Sequence, residues 1–553
     1  MEHELACVGL PAAWADHTAW TILDTDFSDG QRFEQVLHAW QQDPRRPRML
    51  HYVGIATQQP AKLSNTQLAR ASADLGPGMH RILLEGAQVS LTLCLGTVQA
   101  ALSEQAFQAD TLFTTAPNDK WVAQLLARRC RRATRVVITL VPADAPANAT
   151  AAALMQAAGF VLQAYPTHLV GSFDPRWTIV NSRTASRHVQ PKPGRCAIIG
   201  AGLSGASIAQ ALAVRGWQVT VLDQESAPAR GASGLPAGLA VPHVSADDNP
   251  RSRLTRSGTR LMADHAQRLL QRGLDWEPSG VRELFPDGES TWHPQAFWLK
   301  PAAMVQAWLA QPGIRFVAHA TVDRMERDDA LWQLLGPDSK DWGQFDMVVL
   351  ANAMGCAALL RKGLESKAAL SPDWLDRLTA LHPVYGTASH GTYAETLPDL
   401  PTTPVNGNGC FIPHLPGANG EEWLAGATFE TDALAASNLV TQHALNMQRL
   451  RQLLPMDAYD LADTLDRGPV AQWSSTRCVT HDRLPLVGPI DTACGTGLWI
   501  CVGMGSRGLS LAALCAELLA ARLGAEPLPL ESSLARSLGA NRVRRKPAAT
   551  KAE

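Results

Sequence analysis

The sequence predicts an α/β protein with a doubly wound sheet in each of two separate domains. The first observation is length, because 553 residues exceed what one hydrophobic core normally supports. The second is the stretch 195–223, where an apolar run, a glycine-rich turn, a helical segment and a second apolar run follow one another. The third is the regular alternation of strand-like and helical segments before residue 180, which is typical of parallel sheets.

The stretch 195–223 carries the strongest local pattern. Gly200, Gly202 and Gly205 follow a short strand (196–199) in G-x-G-x-x-G spacing and open a helix (204–215) that ends at Gly216. A second strand (219–222) ends at Asp223. In this arrangement the glycines allow a tight turn, close approach of a pyrophosphate and helix-on-strand packing, while the acid binds ribose hydroxyls. We therefore predict a dinucleotide site at Gly200, Gly202, Gly205 and Asp223, with a chance glycine-rich turn as the alternative.

The sequence predicts an N-terminal domain over 1–181 and a linker over 182–194. The linker contains two prolines and no apolar periodicity. Its elements are one predicted helix and five predicted strands: helix 31–40 and strands 20–23, 49–55, 89–95, 111–114 and 135–140.

Further glycine-rich segments occur in the C-terminal part. Gly231, Ser233 and Gly234 form a small-residue stretch that lets backbone run against a cofactor, although a flexible surface loop has the same composition. Strands at 314–317, 321–326 and 331–335 predict a meander, and strand 346–350 carries Ala351 at its end, where a flavin's phosphates commonly lie. A last strand (498–502) is followed by a helix that continues through residue 523. The residues that open this helix suit the pyrimidine edge of a reduced flavin: Gly503, Gly505, Ser506 and Gly508.

Net charge, the length of apolar runs and the cysteine pattern limit the classes of protein to which the chain can belong. The net charge is −2, and no apolar run approaches the roughly 18–20 residues that span a bilayer, so no membrane association is expected. The start MEHELACVGLP does not resemble a signal peptide, and ten cysteines without a C-x-x-C pair fit reduced thiols in a cytoplasm and no metal site. Arginines nevertheless crowd three stretches, 45–48, 128–135 and 251–260, and the tail 541–553 is basic. Each is a solvated face or a contact for an anionic macromolecule.

The N-terminal segments GLPAAW, WTILDTDFSDGQRF, LTLCLG and LFTTAPNDKW resemble, in family order, the methyltransferase domain of the MnmC family of bifunctional tRNA 5-methylaminomethyl-2-thiouridine biosynthesis proteins. The resemblance implies S-adenosylmethionine binding, but four cofactor loops depart from the family pattern: 26–30, 54–57, 96–97 and 114–117. Side chains at Asp26 and Ser28 obstruct a methyl donor that needs close backbone approach. We expect a structural or RNA-docking domain that has lost methyltransferase activity.

Residues 195–540 resemble the glycine oxidase/D-amino-acid oxidase class of FAD proteins, and within it the oxidoreductase domain of the same family. The motifs are GASGLPAG, LAGATFE, HDRLPLVGP and GMGSRGLSLAALCAELLA. The resemblance implies a Rossmann-type FAD part over about 195–270, 300–358 and 476–530, and a part with an antiparallel substrate-side sheet over about 271–299 and 359–475. One departure is Tyr385-Gly386-Thr387, where the family tends to show Arg-Gly-Gln.

The resemblance also implies an activity: FAD-dependent removal of the carboxymethyl group from 5-carboxymethylaminomethyl-(2-thio)uridine at the tRNA wobble position. Arginine suits a bidentate carboxylate clamp. Arg477 matches the family's carboxylate-binding position, and Arg507, beside the expected flavin, is the second candidate. His414 and His481 are possible proton acceptors or structural side chains. The alternatives are an oxidase of glycine or another free small amine, and a non-catalytic tRNA-binding flavoprotein; oligomeric state stays open, with a monomer as the working expectation.

Overall fold

The computed structural model describes most of the chain and divides it into two compact units. The described residues are 2–60, 63, 65–141, 144–178, 192–328, 331–365, 381–394, 397, 400–418, 420–454, 460–490 and 497–542. The first unit comprises Met1–Pro193, Val214–Gly216 and Glu517–Arg536, and the second comprises the remainder. Residues 182–191 of the predicted linker and 543–553 of the basic tail lie outside the described residues. Within the described ranges, no helix is both long and apolar enough to cross a membrane.

The first unit is built on an eight-stranded sheet with the order β3-β4-β2-β1-β5-β6-β8-β7. Its strands are β1 Ala19–Asp24, β2 Met49–Ala56, β3 Gly78–Leu84, β4 Val89–Leu95, β5 Ala109–Thr115, β6 Cys130–Thr139, β7 Phe160–Ala164 and β8 His168–Phe173. Its helices are α1 Glu2–Cys7, α2 Gln31–Gln42, α3 Thr66–Ala71, α4 Val98–Ser103, α5 Lys120–Arg128 and α6 Ala145–Ala157.

The centre of this sheet is parallel and its edges are antiparallel. Strands β4, β2, β1, β5 and β6 run parallel, whereas β3, β7 and β8 pair antiparallel. Alternate residues feed two apolar clusters: Ile22 and Tyr52 belong to one, and Leu23 and Val53 to the other. Because successive side chains of a strand point to opposite faces, both faces of the sheet are covered. All five predicted strands and the predicted helix are present. The strands β3, β7 and β8 are not among the predicted elements.

The first unit also contains a buried ionic network. Arg215 donates to both carboxylates of Glu517 and Glu526 at 2.8–3.1 Å. His51 Nε2 lies 3.6 Å from Glu526 Oε1, and Arg81 donates to the carbonyl of Pro527. All five side chains are buried, and the pairing of Arg215 with Glu517 and Glu526 offsets the free-energy cost of removing these three charges from water.

The described part of the chain after Pro193 contains nineteen further strands, which form four sheets. They are β9 Arg195–Ile199, β10 Gln218–Leu222, β11 Gly238–Ala240, β12 Trp276–Glu277, β13 Val281–Leu284, β14 Ser290–His293, β15 Phe297–Leu299, β16 Ile314–Val317, β17 Arg324–Asp328, β18 Leu331–Leu335, β19 Asp341–Phe345, β20 Met347–Leu350, β21 Leu381–Thr392, β22 Val405–Gly407, β23 Gly409–Gly417, β24 Gly420–Gly426, β25 Val470–Thr480, β26 Leu486–Pro489 and β27 Leu498–Val502. The helices described there are α7 Leu203–Val214, α8 Pro250–Leu269, α9 Pro301–Leu309, α10 Gly355–Glu365, α11 Ala433–Ser437, α12 Leu439–Leu453, α13 Leu461–Leu465, α14 Gly508–Gly524 and α15 Ser532–Ser537.

A six-stranded sheet with the order β16-β10-β9-β20-β27-β26 carries the glycine-rich turns. All of its pairs are parallel except β26 with β27. Consequently the carboxyl ends of β9, β10, β20 and β27 meet at one edge, which is where ligands bind in open parallel sheets.

One prediction about this region was wrong. Residues 314–317 do not belong to the meander, because β16 pairs parallel with β10 at the edge of the six-stranded sheet. The meander instead consists of β17, β18 and β19. A short edge strand and a meander strand have similar composition, so sequence alone did not separate them.

The second large sheet has seven strands in the order β14-β13-β22-β23-β24-β21-β25. It is antiparallel except for the pair β13 and β22. A third, three-stranded sheet (β11-β15-β12) and α12 pack near it. This agrees with the predicted antiparallel sheet beside a Rossmann-type sheet.

Candidate active site

The turn between β9 and α7 and the first turn of α7 each require a glycine. Gly200 has φ +107°, and a Cβ there would lie 2.7 Å from the carbonyl oxygen of Ala351. A Cβ on Gly205 would lie 1.9 Å from the carbonyl oxygen of Gly200, so α7 packs directly on the turn. The first and third glycines therefore have the roles that the spacing predicts.

Gly202 and Ser233 form the wall of a cradle above this turn. A Cβ on Gly202 would stand 3.0 Å from Ser233 Oγ, which accepts a hydrogen bond of 2.9 Å from the Leu203 N–H. Gly231, on the same segment, is exposed, with no atom within 4 Å of an added Cβ, whereas a Cβ on Gly234 would meet the Ala229 carbonyl at 2.6 Å. The segment thus leaves space beside the turn and is fixed to it by one hydroxyl.

Two polar groups line this edge of the sheet. Asp223 follows β10, and its carboxylate accepts hydrogen bonds from the N–H groups of Ala201 at 2.6 Å and Glu225 at 3.0 Å. Asn352 follows β20 and Ala351, and its Oδ1 is buried without a hydrogen-bond partner among the described residues. An orphaned acceptor beside a glycine cradle fits a bound group with hydroxyl donors. These residues therefore fit the dinucleotide portion of FAD.

The loop between β27 and α14 is the second glycine-rich turn. Gly503 and Gly505 have φ +82° and +57°, and the Gly505 N–H donates to the Cys478 carbonyl at 2.9 Å. Ser506 is exposed, and α14 begins at Gly508. The loop is thus anchored to β25 and leaves the first N–H groups of a long helix facing the same edge of the sheet.

Arg477 lies in β25 and is held by groups of the seven-stranded sheet. Its Nη1 donates to the Thr428 carbonyl at 3.2 Å, and the guanidinium carbon lies 5.5 Å from the centre of the Phe429 ring. A Cβ on Gly386 of β21 would lie 2.5 Å from Nη2, so this glycine makes room for the arginine. Burial lowers the pKa of Arg477, which indicates a partly dehydrated cation.

Arg507 occupies a different electrostatic environment. Burial and the charge of Arg251 lower the pKa of Arg507, while Glu283 raises it. The structure therefore places the two predicted arginines in one unit but beside different neighbours. From the sequence alone, Arg251 is one member of an arginine-rich stretch, and Gly386 is part of a departure from the family motif. A glycine inside a strand is the signal that could have identified Gly386.

The two histidines considered from sequence have other partners. His414 Nδ1 lies 2.7 Å from Glu421 Oε1, and its Nε2 lies 3.1 Å from the Pro401 carbonyl. His481 stacks on His382 with ring centres 5.0 Å apart. These contacts favour structural roles for both side chains.

In the first unit, the turn after β1 is filled by its own side chains. Phe27 is 2% exposed, and a Cβ on Gly54 at the end of β2 would lie 2.2 Å from its ring. Asp24 is buried and accepts hydrogen bonds from Tyr52 Oη at 2.6 Å and Arg32 Nη1 at 2.8 Å. The carboxyl ends of β1 and β2 are therefore packed with protein atoms at the place where the family's cofactor loop is expected.

Comparison with known families agrees with this geometry. The family model "FAD dependent oxidoreductase" matches residues 195–290 and 259–522. Among solved structures, the glycine oxidase of Geobacillus kaustophilus is 21% identical, with a TM-score of 0.50 over 63% of this chain and 99% of that chain. That likeness supports the fold of the second unit.

Similar proteins also match along almost the whole chain. A protein of Albidiferax ferrireducens named tRNA 5-methylaminomethyl-2-thiouridine biosynthesis bifunctional protein MnmC is 42% identical over 97% of this chain and 94% of its own length. The protein of the same name from Polaromonas naphthalenivorans is 38% identical over 95% of this chain and 90% of its own length.

Proposed function

The chain belongs to the MnmC family of bifunctional tRNA 5-methylaminomethyl-2-thiouridine biosynthesis proteins, and we propose that it is the FAD-dependent oxidoreductase of wobble-uridine modification. The substrate is 5-carboxymethylaminomethyl-(2-thio)uridine in tRNA. The products are 5-aminomethyl-(2-thio)uridine and glyoxylate. The observation that carries this proposal is the glycine cradle at Gly200–Ser233 in a chain that matches this family almost end to end.

The reaction is the oxidation of an N-substituted glycine. The C–H bond next to the carboxylate loses a hydride, the C–N bond becomes an imine, and water then splits the imine into the primary amine and glyoxylate. FAD, when bound, supplies the two-electron acceptor. The chain must hold the cofactor, fix the carboxymethyl arm and admit one water.

Cofactor contacts in this proposal come from the turns described above. The residues proposed to hold FAD are Gly200, Gly202, Gly205, Asp223, Gly231, Ser233, Gly234, Ala351, Gly503, Gly505, Ser506 and Gly508.

Arg477 is the proposed anchor of the substrate carboxylate. Its guanidinium is fixed by the Thr428 carbonyl and lies over Gly386, which leaves further N–H donors for an incoming oxyanion. The partly dehydrated setting strengthens a charge-assisted hydrogen bond. Arg507 is proposed to contact the anionic substrate as well.

The first unit is proposed to lack methyltransferase activity. Phe27, packed against Gly54, occupies the turn, and Asp24 is engaged by Tyr52 and Arg32 rather than free to orient a ligand. In this proposal residues 1–181 form a methyltransferase-like domain that serves structure or RNA docking, and 195–540 carry the oxidoreductase.

The experiment is nucleoside mass spectrometry of tRNA that carries the carboxymethylaminomethyl base, incubated with the FAD-loaded protein with and without S-adenosylmethionine. The expected product is the aminomethyl nucleoside in both reactions. A methylated product that depends on S-adenosylmethionine would contradict the loss of the methyltransferase. An unchanged base, together with flavin bleaching by free glycine, would replace the proposal with a free-amine oxidase; no bleaching with any amine would favour a non-catalytic flavoprotein.

A further inference from the structure

Arg251 and Arg507 are two half-buried arginines of the second unit. Arg251 lies in the first turn of α8, and Arg507 directly precedes α14. Neither guanidinium has a hydrogen-bond or ion-pair partner among the described residues. The Nε of Arg251 is buried with no hydrogen-bond acceptor in that part of the chain. Because an unpaired charge is costly away from water, the arrangement favours an anionic ligand.

Close packing between two helices links the segments that carry these arginines. A Cβ on Gly258 would lie 1.8 Å from the carbonyl oxygen of Ser510, so α8 and the first turn of α14 touch at their backbones. Ser510 is three residues after Arg507. Arg251 precedes Gly258 by two helical turns, on the same side of α8, which is roughly 10 Å along the axis. Arg251 and Arg507 thus lie within about two helical turns and one helical turn, respectively, of the point where the two helices touch.

The electrostatic coupling is consistent with this geometry. Burial and the charge of Arg251 lower the pKa of Arg507; Glu283 raises it, and Arg483 lowers it. Burial, followed by the charges of Arg507 and Arg251, lowers the pKa of His243. Four basic side chains thus lie in the same electrostatic environment: His243, Arg251, Arg483 and Arg507.

Two acids near this place, Glu283 and Asp248, have other partners. Glu283 accepts from Asn406 at 3.2 Å and lies 2.8 Å from His293 Nε2. Asp248 pairs with Arg256, and Asn249 caps α8 by accepting the N–H groups of Arg251 and Ser252. An anion at this place would consequently be held by side chains rather than by the helix N-terminus.

We propose that Arg251 and Arg507 bind one backbone phosphate of the RNA substrate. The inference rests on the proposed function, because it takes the substrate to be an RNA strand whose modified nucleotide enters the second unit. A nucleotide that is splayed out of a loop brings its own phosphates with it. Two guanidinium groups match the non-bridging oxygens of a phosphate. Arg477, beside a different set of neighbours, remains assigned to the carboxylate.

The test measures RNA binding as a function of salt. Two fluorescently labelled anticodon stem-loops are titrated with FAD-loaded protein by anisotropy, one with an unmodified wobble uridine and one with the carboxymethylaminomethyl base. For Arg251→Gln we expect about tenfold weaker binding of both RNAs at low salt. The slope of log K against log salt should fall by about 0.7–1, as for the loss of one phosphate contact. Arg507→Gln should give the same loss, and the double variant no more than either single one.

Two variants serve as controls. Arg256→Gln removes the same charge from the same helix, but from a residue already paired with Asp248, and should leave the slope unchanged. Arg251→Lys keeps the charge and should keep the slope. Weakened binding of the modified RNA alone would overturn the proposal in favour of the carboxylate, and unchanged binding of both RNAs would overturn it outright. Wild-type protein that binds neither RNA would overturn it too, whereas failure of the oxidation itself is read separately from the nucleoside products.

Discussion

At the scale of single residues, the cofactor part and the substrate part of the proposed site each depend on a glycine, which leaves room for a neighbouring group because it has no side chain. Gly202 leaves space next to Ser233, and Gly386 leaves space for the guanidinium of Arg477. In each case an added methyl group would crowd a neighbouring atom, the Ser233 hydroxyl at 3.0 Å or the Arg477 guanidinium at 2.5 Å. The site can therefore be dissected by adding atoms at glycines as well as by removing functional groups.

Gly202→Val should abolish FAD binding, because the added side chain would stand beside Ser233 where the pyrophosphate is expected. The measurement is the ratio of flavin to protein absorbance after purification and reconstitution. Gly76→Val is a matched control, since nothing lies within 4 Å of a Cβ there. Stoichiometric FAD in the Gly202 variant would remove this turn from the cofactor site.

Gly386→Ala should leave FAD bound but lower kcat/KM for the carboxymethylaminomethyl substrate about 10- to 100-fold, because it displaces Arg477. Gly386 acts through Arg477 and is thus a positioning residue. The measurement is stopped-flow flavin reduction, in the wild type and in an Arg477→Ala background. We expect no additional effect in that background; an equal loss in both would show that Gly386 matters only for the sheet.

At the scale of elements, the buried network of the first unit joins β2 and β3 to Arg215, directly after α7, and to Glu517 and Glu526, in and just after the last part of α14. Arg215 bridges Glu517 and Glu526, and Arg81 and His51 complete the group. Replacing all members of such a network by apolar residues changes the free energy of unfolding little, whereas removing one member leaves buried charges unpaired. Its members are therefore more sensitive to substitution than the surface arginines.

Arg215→Ala should lower the free energy of unfolding by about 3–5 kcal/mol, because Glu517 and Glu526 would remain buried without their cation. Urea denaturation followed by circular dichroism measures the change. Arg132→Ala is the comparison: Arg132 and its partner Asp174 are 53% and 57% exposed, and the expected change is below about 1 kcal/mol. Similar values for the two variants would argue against a buried network.

At the scale of the whole molecule, acid should destabilise the protein. Burial lowers the pKa of His51 to about 4, from an ordinary value of 6.5. Between these values the unfolded chain binds a proton that the folded chain does not, so stability falls as the pH decreases from about 6.5 to 4. The contribution of His51 alone is about 3 kcal/mol.

His51→Gln should flatten the pH dependence of the urea midpoint in that window. His17→Gln, at an exposed position, should not. Glu526, whose pKa the neighbouring Arg215 lowers to about 2, extends the loss of stability below pH 4.5 in both proteins. An unaltered pH profile in the His51 variant would contradict the assignment of a neutral buried imidazole.

The sequence predicted what is encoded locally. The β9–α7–β10 unit, the glycine turn before α14 and the five central strands of the first unit each follow from short-range pattern. Contacts between distant segments could not be read in this way. The contact of the Arg477 guanidinium with Gly386 joins residues 91 positions apart, and the contact of Gly258 with Ser510 joins α8 to α14. The edge strands β3 and β7, and β8 beside β7, are not predicted because their pairing partners, rather than their composition, define them.

The network around Arg215 also has a consequence for biosynthesis. The first unit is not one continuous piece of chain, because Glu517–Arg536 belongs to it together with Met1–Pro193. A ribosome adding about 5–20 residues per second needs roughly 15–60 s to synthesise the intervening three hundred or so residues. During that interval Arg81 and His51 are already made while Glu517 and Glu526 are not. The nascent N-terminal sheet, whose eight strands all precede residue 174, must therefore wait for a segment near the other end of the chain. A gene cut after the linker would encode a unit that never acquires its counter-charges.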